Sequence, residues 1–452
     1  MLCGTEYEAT MRKEDKRMRR IVCLLVCFLI LTYLVHAESD NNVNTLMPSE
    51  TGTVLIELPT PEKATRTWLK NRTKEKKTPE PVFSIPTPAP TSTPAPVPVR
   101  TESYQASSNA SSDSSQQELT LSFVGDCSIG DALSSMKNKS SMTSCIRENG
   151  SSWLFSTVSD IFHADDFTFA NLEVVLTDRA VPLYPLKSFN MIGKPEYAEI
   201  LKLGGIDGVN TVNNHCIDFR YDGYEDTLSA LEAYGIMHFG SLNPTRTKNR
   251  YVTLGRIEIK GVRIGLIGFT YPTNANLELI SQDIQTLRSE GCQIVIVSLH
   301  WGREEHGTPK ASQFPYAKQI LDAGADMIWG HHPHVLQPVY FYQGKPIFFS
   351  TGNFVFGTIK ALDPASGIFQ LTWDIHDDGS VSLNRFHMVP TQIRHKKLEY
   401  RPLVLTDPKE MQNCLKHVVG NTDRYDCMRL PEEFTKTGTV YIHPDGSLSV
   451  DP

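Results

Sequence analysis

Short apolar runs, each followed at once by a polar cluster, recur along the chain from residue 119 to residue 351. The runs have the length of buried strands: LTLSFV (119–124), FTFA (167–170), GVNTV (208–212), CQIVIVSL (292–299), DMIWG (326–330) and PIFFST (346–351). Segments with helical spacing lie between them at 227–235, 277–291 and 316–325, and their terminal glycines suit helix C-caps. This alternation predicts an α/β fold with a mostly parallel sheet covered on both faces.

The pattern changes after Gly367, where IFQLTWDIHDDGSVSL (368–383) surrounds a DDG turn. This segment predicts a hairpin of antiparallel strands that closes the domain. We therefore predict one large α/β domain over residues 118–400, with a C-terminal extension over residues 401–452 packed on it.

The start of the chain is typical of membrane targeting. Residues 1–20 form a basic tail, and residues 21–37 are mostly apolar. A basic flank stays in the cytoplasm, so this order predicts an uncleaved single-pass signal anchor with the main domain outside the cytoplasm. The alternative is a signal peptide cleaved after Ala37, which would give a secreted protein. Residues 38–117 are rich in Pro, Ser and Thr, which predicts an extended linker.

Composition narrows the class of protein. Of the 452 residues, 40% are hydrophobic and 21% are charged, which excludes a fully disordered, collagen-like or coiled-coil chain. The formal net charge of −7 gives no electrostatic reason to expect a nucleic-acid partner. Six of the nine cysteines follow the linker, and an exported domain permits disulfides, for which Cys414 with Cys427 is the best local candidate.

The polar clusters after the predicted strands carry the candidate chemistry. In sheets of this type the carboxyl ends of the strands meet at one edge, where ligands bind. Carboxylate oxygen, amide oxygen and imidazole nitrogen are ligands of Zn, Mn or Fe, so we predict one or two divalent transition-metal ions there. The collected side chains are Asp126, Glu173, Asn214, His215, His300, Glu304, His331, His332 and His334.

Each cluster by itself also has a structural interpretation. Gly125 and Asp126 suit a turn after a strand, and residues 171–173 suit a helix start. His331 suits a surface position beside the strand end. The pair His332 and His334 is the strongest single indication of a metal, because two histidines around a proline after a buried strand have few structural reasons to occur together.

With these motifs in this order, the chain resembles the CapA family of capsule and poly-gamma-glutamate biosynthesis proteins. The resemblance covers residues 119–357 and rests on GD (125–126), NLE (171–173), NNHCIDF (213–219), HWGREE (300–305), GHHPHVLQP (330–338) and STGNFVFG (350–357). It implies a fold similar to the calcineurin-type metallophosphoesterases, which is a layered α/β/β/α sandwich.

The resemblance also implies which residues bind metal. Glu173 takes the place of the usual bridging aspartate, and the implied ligands are Asp126, Glu173, Asn214, His300, Glu304, His332 and His334. One departure matters, because the superfamily has a histidine two residues after the first aspartate, where this chain has Ser128. Either Glu304 compensates for that ligand or only one metal binds. Cys127 is interpreted as a structural or disulfide cysteine and not as a ligand.

Two further residues receive catalytic roles from the resemblance. His215 acts as general acid on the leaving group, and Asp218 orients its imidazole. The implied chemistry is attack of metal-activated water on an ester or amide centre.

Two functions of different class follow. The first is a membrane-tethered, metal-dependent hydrolase in capsule or poly-gamma-glutamate biosynthesis, with gamma-linked glutamate as one variant of the scissile bond. The second is a non-catalytic accessory or scaffold subunit of a polymer synthase or export complex. The expected partners are an anionic cell-surface polymer or its precursor, the membrane and polymer synthase subunits.

Overall fold

The computed structural model describes residues 117–451, except residues 186, 243–251, 271–275, 358–362 and 394–398. The predicted basic tail (1–20), the predicted anchor (21–37) and nearly all of the predicted linker (38–117) lie outside the described residues. In the part of the chain that the structure describes, no helix has both the length and the apolar character needed to span a membrane.

The described residues form two large β-sheets, a small sheet and the helices around them. In chain order the strands are β1 Gln117–Cys127, β2 Asp131–Ala132, β3 Phe167–Leu172, β4 Val175–Leu176, β5 Met191–Gly193, β6 Gly208–Asn210, β7 Met237–Ser241, β8 Val252–Thr253, β9 Gly255–Ile259, β10 Val262–Thr270, β11 Ile294–His300, β12 Met327–His331, β13 Val339–Tyr342, β14 Lys345–Phe348, β15 Asn353–Val355, β16 Ala365–Ile375, β17 Val381–Ile393, β18 Pro402–Val404, β19 Met428–Arg429, β20 Thr439–Ile442 and β21 Leu448–Ser449. The α-helices are α1 Met142–Asn149, α2 Ser159–Phe162, α3 Ala198–Gly204, α4 Arg220–Ala233, α5 Leu277–Ser289, α6 Gln313–Asp322, α7 Pro408–Leu415 and α8 Phe434–Thr437.

The two large sheets each contain a parallel centre with antiparallel strands beside it. The larger sheet has the order β21-β20-β17-β16-β1-β3-β6-β7-β8, with β15 beside β1 and β18 beside β17. Its strands β1, β3, β6 and β7 are parallel. The second sheet has the order β19-β13-β14-β12-β11-β10-β9, and β10, β11, β12 and β14 are parallel. The predicted hairpin over 368–383 is confirmed, since β16 and β17 pair antiparallel.

The two large sheets pack face to face through aromatic side chains. Phe123 on β1 stacks on Phe169 with ring centroids 5.2 Å apart, and it meets the edge of Trp329 on β12 at 5.4 Å. Apolar residues of both sheets belong to one buried cluster, so the contact removes a large apolar area from water. The inner face of each sheet is therefore covered by the other sheet and not by helices.

Helices cover the two outer faces. Ile200 of α3 and Leu231 of α4 are buried against the outer face of the larger sheet. Ile284 of α5 and Phe314 of α6 are buried against the outer face of the second sheet. The predicted α/β fold is confirmed. Two facing sheets replace the single covered sheet that the strand pattern predicts, and they agree with the α/β/β/α sandwich that the resemblance implies. The apolar runs alone could not show this, because a strand buried on both faces looks the same whether a sheet or a helix covers it.

Residues after position 401 are part of the sheets. Strands β18, β20 and β21 extend the larger sheet, and β19 pairs with β13 of the second sheet. Helix α7 begins at Asp407, whose carboxylate accepts hydrogen bonds from Lys409 N and Glu410 N.

The predicted Cys414–Cys427 disulfide is wrong. All six cysteines among the described residues are free and buried. Cys414 lies in the cluster between the two large sheets, whereas Cys427 lies in the cluster on the outer face of the second sheet. Proximity in sequence is therefore no guide here, because the intervening chain places the two thiols in different cores.

We expect Phe123→Ala to destabilise the domain by about 3–5 kcal/mol, because it leaves a cavity where the two sheets meet. Leu203→Ala is the matched control, since Leu203 on α3 is 48% exposed and its truncation should have little effect. Urea unfolding followed by tryptophan fluorescence measures both. Equal stability of the two variants would contradict the central role of the inter-sheet contact.

Candidate metal centre

The strand ends of both large sheets meet at one place and carry the predicted site residues there. In the larger sheet the register places Asp126 of β1 beside Asn171 of β3, and Asn171 beside Asn210 of β6. In the second sheet His300 of β11 lies beside His331 of β12. Parallel strands end at the same edge, which is why residues far apart in sequence converge.

A glycine lets two strand ends approach closely enough to form the site. A Cβ atom on Gly125 would lie 2.0 Å from the carbonyl oxygen of Gly352, a backbone atom that cannot move aside cheaply. The amide of the next residue, Asp126, donates to the same oxygen at 2.8 Å. In the GD motif, glycine is therefore required for the close approach of the two strands, and aspartate supplies the carboxylate.

Asp126 is fully buried, and several donors surround its carboxylate. Oδ1 accepts from Asn171 Nδ2 at 2.8 Å and lies 3.4 Å from His331 Nδ1. Oδ2 lies 3.2 Å from His334 Nδ1 and accepts from the backbone amide of His332 at 3.3 Å. Burial opposes ionisation, but the contacts with His331 and His334 hold the pKa of Asp126 well below its usual range. Asp126 is therefore a carboxylate with its lone pairs largely occupied.

Glu173 is also fully buried, but its carboxylate is unpaired. Neither Oε1 nor Oε2 has a hydrogen-bond partner among the described residues. Oε1 lies 3.7 Å from His300 Nε2 and 3.8 Å from both His215 Nε2 and His334 Nε2. Burial raises the pKa of Glu173 well above its usual value, with His334 opposing the shift. Three imidazole nitrogens thus face a carboxylate at distances too long for hydrogen bonds.

Ring nitrogens of the surrounding histidines also lack hydrogen-bond partners. Within the described residues, His300 Nε2 and His332 Nδ1 are buried without a hydrogen bond. The two rings lie 4.7 Å apart, and burial lowers the pKa of both imidazoles, so both are neutral near pH 7. His332 also has a φ of 96°, a strained backbone for this residue type. Strain of this kind is concentrated at functional sites.

His334 is oriented by a different pair of groups. Its Nδ1 lies 3.0 Å from Asn353 Oδ1 as well as near Asp126, so Nε2 is the atom that faces Glu173. Although burial opposes protonation, the charges of Glu173 and Asp126 raise the pKa of His334 to about 10. The carboxylates thus attract a positive charge to this position, which is the property that a metal-binding site requires.

These contacts suit a divalent cation. Unpaired buried acceptors are costly, and a cation would satisfy Glu173, His300 and His332 together. Three groups of side chains have ligand atoms within 4.8 Å of one another: Glu173 with His300 and His332; Glu304 with His332 and His334; and Asp126 with Glu173 and His334. Glu173 belongs to two of the groups, as a bridging ligand would. Nitrogen and carboxylate oxygen are the donors that Zn, Mn and Fe accept.

Two predicted ligands lie at the periphery. Glu304 is exposed, although its carboxylate is close enough to His332 and His334 to join them around a metal. Asn214 is exposed as well, and its backbone carbonyl accepts a hydrogen bond from Lys187. The amide that reaches Asp126 is that of Asn171, within the NLE motif.

Some residues of the site were not assigned from the sequence. Asn171 accepts from Asn210 at 2.8 Å while donating to Asp126, so a chain of amides supports the carboxylate. His331 is fully buried beside Asp126, not at the surface. Asn353 was visible only as part of the STGN motif. Asn171, Asn210 and His331 lie at or next to the ends of strands, and Asn353 begins a short one. Position near a strand end was the available signal, but the contacts of these residues cross from strand to strand.

The neighbouring cysteine does not join the donor groups. Burial raises the pKa of the Cys127 thiol, and its Sγ points to the carbonyl of Gly125 at 3.7 Å. A protonated, buried thiol agrees with the structural interpretation of this residue.

His215 and Asp218 lie next to the donor groups as a pair. His215 Nδ1 lies 2.7 Å from Asp218 Oδ2, and a carboxylate can only accept, so Nδ1 carries the hydrogen. Nε2 then presents a lone pair toward Glu173. Burial lowers the pKa of His215 although Asp218 raises it, which favours the neutral imidazole. The backbone amide of His215 donates to Asn213 Oδ1 at 3.0 Å and fixes the turn.

A pocket of about 460 Å³ opens beside these residues. His215, Glu304 and His334 line it. Phe189 and Phe356 are among its apolar lining residues, and Ser134, Ser135, Ser140 and Ser141 also line it. The pocket therefore connects solvent to the carboxylate and imidazole groups.

Two facing β-sheets covered by helices, with a buried cluster of carboxylates and histidines at their common edge, define an α/β protein with a candidate metal site. The sequence model described as "Bacterial capsule synthesis protein PGA_cap" matches residues 120–358, and the chain belongs to that family. The resemblance to CapA proteins is thereby confirmed.

Individual relatives agree with the family. The chain is similar to the "PGA biosynthesis protein CapA" of Bacillus subtilis (strain 168), with 30% identity over 293 residues, which cover 58% of this chain and 73% of the relative. It is 28% identical over 297 residues to the "Capsule biosynthesis protein CapA" of Bacillus anthracis, covering 62% of this chain and 68% of the relative. It is also 27% identical over 233 residues to a "Probable polyglutamine synthesis accessory protein" of Mycobacterium tuberculosis (strain ATCC 25618 / H37Rv), covering 46% and 60%.

We expect the full-length protein to bind zinc or manganese through the unpaired donors. Glu173→Gln should lower the affinity by more than about 100-fold, since even the loss of an outer partner of a ligand costs 10–100-fold. His163→Ala is the control, because His163 is exposed and lies outside the three donor groups. Elemental analysis and competition with a fluorescent chelator measure the effect. Equal metal content in both variants would exclude Glu173 as a ligand.

Proposed function

We propose that the protein is a metal-dependent hydrolase of the metallophosphoesterase type that acts on an ester or amide bond in capsule or poly-gamma-glutamate biosynthesis. The observation that carries this proposal is the set of unpaired buried donors, Glu173, His300 and His332. Their neighbours His334 and Glu304 line an open pocket. A fold gains nothing in stability from buried acceptors without partners, so a ligand is the simplest reason for them.

The side chains at the site are suitable ligands for the divalent metal ion that this hydrolysis requires. Glu173, His300 and His332 would hold it, with His334, Asp126 and Glu304 as further donors. A bound divalent ion polarises the scissile group and supplies hydroxide near neutral pH by lowering the pKa of water. Because the lone pairs of Asp126 are largely occupied by Asn171 and three histidines, the donor set favours one tightly held ion over two.

His215 would move the proton. Its Nδ1 is held by Asp218, so Nε2 faces the donor groups and the pocket. This nitrogen would accept a proton from the attacking water and donate it to the leaving group, which is the general-acid role that the resemblance implies. The walls of the pocket exclude water around the substrate and hold the scissile group near this nitrogen.

The cellular context of the proposal comes from the family and from the N-terminal pattern. The relatives are named for the biosynthesis of PGA and of capsule, so an anionic cell-surface polymer or its precursor is the proposed substrate. The basic and apolar segments at 1–37 support a tether in the cell membrane with the domain outside. Polymer synthase subunits are the proposed partners in that location.

A second function has its own support. Ser128 stands where the superfamily has a metal-binding histidine, and the buried Cys127 beside it is not a donor. The Mycobacterium tuberculosis relative is named as an accessory protein. In this alternative the protein supports a polymer synthase, and the site binds polymer or stabilises the fold without hydrolysis.

We expect His215→Ala to separate the two functions. Purified, metal-loaded protein should hydrolyse bis(p-nitrophenyl) phosphate or a gamma-glutamyl oligomer, and the variant should be slower by about 10²–10⁴-fold with its metal retained. His163→Ala should behave as wild type. In cells, loss of polymer at normal protein level supports catalysis, whereas unchanged polymer supports the accessory function. The substrate that is cleaved identifies the scissile bond.

A further inference from the structure

A lysine outside every predicted motif contacts the His215 pair. Lys187 lies in the chain between β4 and β5, and its Nζ donates to Asp218 Oδ1 at 2.6 Å and to the Asn214 carbonyl at 2.9 Å. The same atom lies 3.3 Å from His215 Nδ1. The side chain of Lys187 is 29% exposed, while that of Asp218 is 2% exposed. The ammonium thus stands between solvent and a buried carboxylate.

Asp218 joins the turn after β6 to the segment that leads from β4 into β5. Its Oδ2 accepts from His215 Nδ1 and also from the backbone amide of Met191 at 2.8 Å. Its Oδ1 accepts from Lys187, and its backbone carbonyl accepts from Leu183 N. A buried carboxylate is tolerated only when its charge is compensated and its lone pairs are used. Lys187 supplies both the charge and the third donor.

We propose that Lys187 is a positioning residue for His215. By holding the Asp218 carboxylate and the Asn214 carbonyl together, the ammonium fixes the imidazole with Nδ1 toward Asp218 and Nε2 toward Glu173. The importance of this orientation rests on the proposed function, in which Nε2 carries the proton of the leaving group. Nothing in the motifs of the chain marks Lys187, because its partners are reached only in the folded structure.

The same contacts connect the histidine to the substrate pocket. Phe189 and Met191 line the pocket, and they lie two and four residues after Lys187 in the chain. The backbone amide of Met191 donates to the Asp218 carboxylate, which also orients His215. The same carboxylate therefore holds both the pocket lining and the imidazole. Lys187 binds Oδ1, the other oxygen of the Asp218 carboxylate. Its loss should therefore disturb the geometry of the reaction more than the affinity for metal.

The test uses full-length protein with 13C-labelled histidine in the zinc-loaded form. The His215 Cε1–H signal is assigned by its disappearance in His215→Ala. In wild type we expect one sharp signal, and in Lys187→Met a shifted or split signal that reports more than one ring orientation. Lys187→Arg should restore a single signal, because a guanidinium can donate to both acceptors. Lys187→Gln, which has no charge and a shorter reach, replaces the methionine variant if that variant does not fold.

Two controls isolate the pathway through Asp218. Lys194→Met removes an exposed lysine that pairs with the exposed Glu196 at 3.0 Å, and it should leave the His215 signal unchanged. In an Asp218→Asn background, Lys187→Met should have little further effect, because coupled residues are not additive. An unchanged His215 signal in Lys187→Met and Lys187→Gln overturns the proposal, as does full additivity with Asp218→Asn.

Kinetics give the second measurement. With bis(p-nitrophenyl) phosphate or the gamma-glutamyl oligomer, Lys187→Met should lower kcat by up to about 100-fold, the loss expected from a misplaced group, with a smaller change in KM. Zinc content should stay at the wild-type value. Absence of hydrolysis by wild type would count against the proposed function alone, since the His215 signal still decides the role of Lys187.

Discussion

The burial of two carboxylates where the edges of two sheets meet is the constraint on which the rest of the site depends. Asp126 and Glu173 are both inaccessible to water, and a charge in that position must be compensated locally. For Asp126 the compensation is complete within the protein, through Asn171 and surrounding histidines. For Glu173 it is not, because its oxygens have no hydrogen-bond partner among the described residues. This difference between two neighbouring carboxylates is the clearest physical sign of a cation site.

The packing of the sheets creates that constraint. Phe123 and Trp329 hold the sheets face to face, and Gly125 lets β1 lie against Gly352 without a side chain between them. The close approach brings the end of one sheet within reach of histidines on the other. Apolar packing is non-directional, so the aromatic core determines how near the sheets lie, while hydrogen bonds determine which atoms face each other. The packing of the core thus determines the distances between the side chains of the site.

His215 belongs to a second network that borders the first. Asp218 orients the imidazole, and Lys187 and Met191 N hold Asp218. Through these contacts the Asp218 carboxylate connects the pocket lining to the turn after β6. It also fixes the position of His215 Nε2, the nitrogen that faces Glu173. The arrangement resembles the general pattern in which a proton-transfer group is oriented by an outer partner that touches no substrate. Function in this protein would then depend on a residue outside the motifs of the family.

The sequence by itself determined the class of fold, the family and most of the residues at the site. Apolar runs followed by Asp, Asn and His clusters identify strand ends, and parallel strand ends converge for topological reasons. Only the tertiary structure decided which strands belong to each of the two facing sheets, that Asn171 and not the exposed Asn214 supports Asp126, and that Cys414 and Cys427 lie in different cores. Lys187 also became visible only there. Hydrogen bonds and burial join residues distant in sequence, and local patterns contain no information on distances between such residues.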